Sequence, residues 1–219
     1  MAADPQAEPV GATPGFGAER MAMFTDAIFA IAATLLVIEI KRPEHADLVS
    51  PGALGAFLLR EWSSFLAFAL AFFLLWGVWR RHNALTDQIT RWNRATMALH
   101  GPLLLLVALL PFPTALVGGE GIRNPLALSV FAGTESALVF CEAAIKECAC
   151  RAGLVKPGID PAAVRASGAA SIAVGGYFVL TAVLAWWVRD IYFAWIFAPL
   201  VAVLGRNASD RLRRRTAAG

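Results

Sequence analysis

The sequence predicts an all-α, polytopic membrane fold with six transmembrane helices, and three observations carry that prediction. Hydrophobic residues make up 58% of the 219 while only 16% are charged, and the mean hydropathy is +0.61, too apolar for a surface that must face water. The apolar residues gather into six runs, most of them near the length of about 20 residues that crosses a hydrocarbon core. None of the runs alternates as barrel strands do, and backbone groups in hydrocarbon must be bonded within their own segment, so each run reads as a helix.

Residues 1–18 are rich in Ala, Pro and Gly. They lack the basic start and apolar run of a signal peptide and read as a disordered cytoplasmic tail. The membrane domain is expected over 19–207. Its first span covers 20–40 and its second 54–79, uncharged from Trp62 to Trp79. The third covers 95–117, where Pro111 and Pro113 should kink or end it before Gly118 and Gly119. The fourth, 125–149, carries Glu135 and Glu142 seven residues apart. They share one helical face, which is expected to meet protein or water rather than lipid. The fifth, 166–188, is joined to a short sixth, 191–205, by Arg189 and Asp190 alone, as in a helical hairpin. Residues 208–219, with Arg211, Arg213, Arg214 and Arg215, read as a basic cytoplasmic tail.

Basic residues give the orientation. Arg80, Arg81, Arg91 and Arg94 follow the second span, and Lys146, Arg151, Lys156 and Arg165 follow the fourth. Both connections are therefore expected in the cytoplasm. With six spans both termini fall on that side. Trp62, Trp79, Trp92 and Trp195 lie near span ends, where interfacial anchors are expected.

Several function classes are disfavoured. The net charge of +3 is modest and its basic residues flank membrane spans, a pattern for lipid headgroups and not for nucleic acid. Cys141, Cys148 and Cys150 are odd in number and clustered, so they read as free thiols without a disulfide framework or metal site. No H-E-x-x-H or G-x-S-x-G pattern is present, His45, His82 and His100 fall in different segments, and Ser63–Ser64 has no adjacent base. No enzyme and no cofactor are expected.

The first span carries the most information. Only twelve residues separate Asp26 from Glu39, too few to cross a bilayer, so the span starts earlier and Asp26 lies inside it. A carboxylate there needs a polar partner. Arg20, or His82 together with Trp79 on the second span, can supply one, and stapling helices together is the simplest role for such a cluster. Ile31, Thr34, Leu35 and Ile38 fall at i, i+3, i+4 and i+7 on one face, while small residues of the opposite side allow close helix approach. By periodicity alone this stripe reads equally as packing.

Arg20, Phe24, Thr25 and Asp26, followed by Ala30, Ile31, Thr34, Leu35 and Leu36, resemble the first-span signature of the transmembrane protein 175 family of lysosomal and prokaryotic potassium channels. Ser64–Phe65, Trp79 to His82 and Leu110 to Thr114 extend the likeness to about residue 115. The resemblance, in its six-span prokaryotic form, implies a homotetramer in the plasma membrane with the first helix of each subunit lining a central pore. It implies that Ile31 forms a hydrophobic constriction, that Leu35 and Ile38 form further rings, and that Thr34 supplies a hydroxyl layer linked to selectivity. Arg20, Phe24, Thr25, Asp26 and His82 correspond to the signature polar cluster. Thr25 stands where Ser is usual, and His100 stands where an asparagine is expected. The implied activity is passive potassium permeation with modest preference over sodium, with potassium ions and membrane lipids as partners. A proton-permeable channel or proton-coupled transporter, with Asp26, Glu135, Glu142 and His100 as a relay, is the competing expectation.

Overall fold

The computed structural model describes residues 18–216. Of the N-terminal tail expected over 1–18, only Ala18 falls among them, and it opens the first helix. The α-helices are α1 (Ala18–Leu35), α2 (Pro51–Arg60), α3 (Trp62–Gln88), α4 (Arg94–Leu109), α5 (Pro111–Val117), α6 (Pro125–Arg151), α7 (Pro161–Leu184) and α8 (Ala198–Thr216). Six segments are long and apolar enough to cross a membrane: 19–39, 62–88, 94–117, 125–151, 161–184 and 191–209. The chain is a multi-pass membrane protein, as the apolar runs predict.

The boundaries differ from the sequence expectation in four places, each with a local cause. The second apolar run divides at Glu61, whose backbone leaves the helical region (φ −91°, ψ 10°). Its carboxylate is buried and held by the Ser64 hydroxyl at 3.2 Å and Arg60 at 3.6 Å. Upstream of the break, α2 is a separate helix with Pro51 in its first turn and Ser50 as cap, its hydroxyl accepting from the Ala53 N–H at 3.1 Å. Downstream, α3 runs on to Gln88, well past Trp79. The third span breaks at Leu110, between α4 and α5, where the two prolines place it. The fifth starts at Pro161 instead of 166, because Asp160 caps it by accepting the Ala162 N–H at 2.9 Å. The sixth opens as a 3-10 turn, Ile191–Phe197, and continues as α8 through the stretch expected to be a basic tail.

Longer helices also relocate the charges. Arg80 and Arg81 lie on α3, Arg94 on α4, Lys146 and Arg151 on α6 and Arg165 on α7, so these six are helical residues and not loop residues. Trp92 and Trp195 are buried in the core, not placed as interfacial anchors. Trp62 does stand exposed at the start of its span, and the large exposed indoles after α7 are Trp186 and Trp187.

At the centre of the core lies α6, with Phe131, Leu138 and Ile145 fully buried. Small residues let α7 approach it closely. The backbone of Gly168 lies against the stem of Lys146, and a Cβ at Gly175 would stand 2.4 Å from the Phe140 ring. Gly205 brings α8 onto α7 in the same way, against Ala173. The first three spans and the last three are joined by α4 packing on α6. A second join is a short antiparallel bridge, Ile89 with Val155, between the connections that follow α3 and α6. There the Thr90 N–H donates to Leu154 O and the Lys156 N–H to Gln88 O, both at 2.9 Å.

On the opposite connection, Asp47 accepts the Glu44 N–H at 2.9 Å and Arg60 at 3.2 Å. The Glu44 N–H, aided by Arg60, holds its carboxyl below the usual carboxylate range.

Candidate functional site

One narrow face attaches α1 to the rest of the chain. Met21, Thr25, Phe29, Ala32 and Leu36 are buried there, at spacings of three and four residues. The stripe of Ile31, Thr34, Leu35 and Ile38 lies on the far side, about 130° round the helix from the packed face at about 100° per residue. Ile31 is 58% exposed, Leu35 39% and Ile38 59%, so the rest of the described chain leaves the stripe largely uncovered. From Leu36 to Glu39 the helix tightens into a 3-10 turn. Ile38, three residues after Leu35, therefore stays nearly in line with it.

Thr34 has a defined hydrogen-bond state. Its hydroxyl donates to the Ile31 carbonyl at 2.8 Å. The proton is thus committed to the helix, and the oxygen presents lone pairs outward, which is what a cation requires of a ligand.

The predicted polar cluster is only partly assembled. Asp26 is exposed on α1 and accepts a 2.8 Å hydrogen bond from the Trp79 indole of α3. The Trp79 ring in turn packs on Trp76, with centroids 4.9 Å apart. Arg20 and Phe24 are exposed, and among the described residues Arg20 makes no ion pair with Asp26. Thr25 and His82 are buried. His82 is stacked between Phe29 of α1 at 6.3 Å and Trp92 at 6.1 Å, and His100 meets it edge-on at 5.1 Å. His100 is fully buried, with Nδ1 2.7 Å from the Thr96 carbonyl. These rings fasten α1 to α3 and α4 at the end of the spans where Asp26 lies.

Replacing Trp79 with Phe keeps the ring packing and removes one hydrogen bond to a carboxylate. Such bonds contribute about 1.5–3 kcal/mol when sheltered, and with Asp26 exposed a loss of about 1 kcal/mol is expected. Thermal unfolding of the purified variant in detergent checks this, and an unchanged midpoint would show that the bond does not anchor α1.

A second polar cluster carries no signature motif. Glu142, fully buried on α6, receives Arg81 Nε at 3.0 and 3.1 Å, Lys146 Nζ at 2.6 Å and the Ser171 hydroxyl at 3.3 Å. Three helices meet on this carboxylate. Glu135, one face-repeat earlier, is equally buried, and its two oxygens have no hydrogen-bond partner among the described residues. The acidic face of the fourth span thus meets protein, as its spacing predicts. The relay alternative gains no support, since no hydrogen bond joins any two of Asp26, His100, Glu135 and Glu142 among the described residues.

Residues 20–111 match the family model described as endosomal/lysosomal potassium channel TMEM175. Two relatives are named as potassium channels. One, from Chamaesiphon minutus, is 40% identical over 117 residues, 52% of this chain and 57% of the relative. The other, from Streptomyces collinus, is 37% identical over 117 residues, 53% of this chain and 55% of the relative. The alignments thus span little more than half of each relative's length. Among solved structures, a variant of the potassium channel MtTMEM175 in complex with a nanobody fusion covers 98% of this chain and 100% of its own, with a TM-score of 0.61 and 15% identity. That likeness shows a shared fold.

Proposed function

We propose that this chain, whose residues 20–111 match the TMEM175 family model, is the subunit of a passive, potassium-permeable channel in which α1 lines the pore. The observation that carries the reading is the face of α1 turned away from its own chain. Exposed large apolar residues on a span can also face lipid, so exposure alone does not distinguish a lumen. The same helix also exposes Asp26 beside Trp79 of α3, about 130° round from the stripe, so that flank of α1 meets protein or water and not lipid. It also presents a hydroxyl oxygen at Thr34.

In this reading four copies assemble around an axis, as the family resemblance implies, and Ile31 forms an apolar ring that closes the pore by dewetting. Leu35 and Ile38 continue the wall. Small displacements of four helices, each held to its own subunit by one narrow face, widen the ring enough for a hydrated or partly hydrated ion. The chain has no T-V-G-Y-G filter, so ion discrimination rests on the Thr34 oxygens replacing part of the hydration shell and is modest. The plasma membrane, with both termini in the cytoplasm, is the setting that the family's six-span form and the flanking arginines support.

The test is the reversal potential of purified protein in a planar bilayer with potassium on one side and sodium on the other. A current reversing toward the potassium equilibrium potential, unchanged between two pH values, is the expected result, whereas a reversal that follows the proton gradient alone would refute it. Thr34→Val keeps the shape and removes the oxygen. It is expected to bring the potassium to sodium permeability ratio toward unity, and an unaltered ratio would take Thr34 out of ion selection.

A further inference from the structure

A cavity of about 470 Å³ lies between the C-terminal half of α3, the N-terminal half of α7 and α8. Its volume falls in the range of built ligand sites. Three arginines line it: Arg80 and Arg81 from α3, and Arg206 from α8. Gln88 and Ser167 add polar groups, and among the described residues that line it none is a carboxylate. Glu142 engages the Nε of Arg81, and the terminal guanidinium nitrogens have no hydrogen-bond partner among the described residues, one of them beside Gly77, where a Cβ would stand 3.4 Å away. Arg80 and Arg206 form no ion pair with the described residues.

The geometry of α8 accounts for the opening. Gly205 presses it against α7, and the next residue, Arg206, turns about 100° away from that contact toward the gap facing α3. The upper wall, with Val203, Ala202, Ala170 and Gly77, is apolar and small. A positive floor beneath an apolar wall, set between spans near their ends, has the polarity of a phospholipid. Its phosphate would meet the guanidiniums, which bind phosphate in a planar fork, and its acyl chains would run up between α3 and α8.

We propose that this cavity binds the headgroup phosphate of an anionic phospholipid, with Arg80 and Arg206 as its principal ligands and Arg81 supporting them. The site is remote from α1 and does not rest on ion permeation. A free phosphate ion shares the headgroup chemistry but not the apolar wall, so the test separates the two.

Purified protein is delipidated, exposed to mixed micelles of phosphatidylglycerol or phosphatidylcholine, and the lipid retained per subunit is counted by native mass spectrometry. The parent is expected to prefer phosphatidylglycerol. The double variant Arg80→Ala/Arg206→Ala should lose that preference by roughly 25-fold, at about fivefold per arginine beside an anionic headgroup. Arg80→Lys/Arg206→Lys, which keeps both charges, should retain most of it and serves as the folded control if the alanine variant is unstable. Retention equal to the parent in the alanine variant, or a preference lost equally in the lysine variant, would overturn the assignment. Thermal protection by inorganic phosphate as large as that given by phosphatidylglycerol would overturn the lipid as the source.

Discussion

Glu142→Ala is expected to destabilise the protein more than any other single substitution considered, by about 3–5 kcal/mol, the usual consequence of removing one member of a buried ion pair. The carboxylate is fully buried, and Lys146, 2% exposed, has it as its only ionic partner among the described residues. Alanine would strand that ammonium between α6 and α7. Arg81 is 29% exposed along its side chain and can turn toward water, so the figure rests mainly on Lys146. Removing both charges is expected to be far milder, because apolar replacements of similar volume relieve the desolvation that the pair must overcome. Glu142→Leu/Lys146→Met should therefore recover most of the loss. Thermal or denaturant unfolding in detergent gives the comparison. If Glu142→Ala unfolds within about 1 kcal/mol of the parent, Lys146 finds water or another partner and the cluster is not a structural centre.

Ile31→Ala is expected to raise current through the closed channel by at least about tenfold, since a drop of only about 1.4 kcal/mol in the barrier gives that factor. Each subunit would lose three carbons from the proposed apolar ring, at about 0.8 kcal/mol of hydrophobic free energy per methylene. Wetting the constriction then becomes easier on every side at once. Ile31→Asn should go further by giving water a partner there. The side chain is 58% exposed in its own chain, so neither change should unfold the subunit. That separates a pore role from a packing role, which would lower stability without raising the current. Macroscopic currents at matched protein density decide between them, and a stable variant with unaltered current would place the constriction elsewhere.

How much of this was legible in the sequence depended on whether the cause was local. Six helices were readable because apolar length is a one-dimensional signal, and the break at Pro111 was readable because proline removes a donor and clashes within its own turn. The start of the fifth span could also have been read, since Asp160–Pro161 is a cap followed by a first-turn proline. Periodicity grouped Ile31, Thr34, Leu35 and Ile38 on one face but could not say what that face meets. Only the burial of Met21, Thr25 and Phe29 behind it shows that it turns outward. Arg20 was a poor partner for Asp26 on helix geometry alone, because six residues put two side chains on different faces. The partner that the structure supplies, Trp79, is 53 residues away. Reading Arg81 and Lys146 as topology signals hid their pairing, although Glu142 and Lys146 stand at the i, i+4 spacing of a helical ion pair.

The bridge between Ile89 and Val155 bears on the order of biogenesis. Residues 88–90 leave the ribosome with the first spans, but the carbonyl of Gln88 and the N–H of Thr90 receive their partners only when residues 154–156 emerge, after α6. Until then the early half, including α1, is joined to α6 by α4 packing and by the Arg81–Glu142 pair, without this backbone latch. A nascent chain stalled before Leu154 would hold α1 against α3 and α4 while the backbone latch between the two connections is still missing.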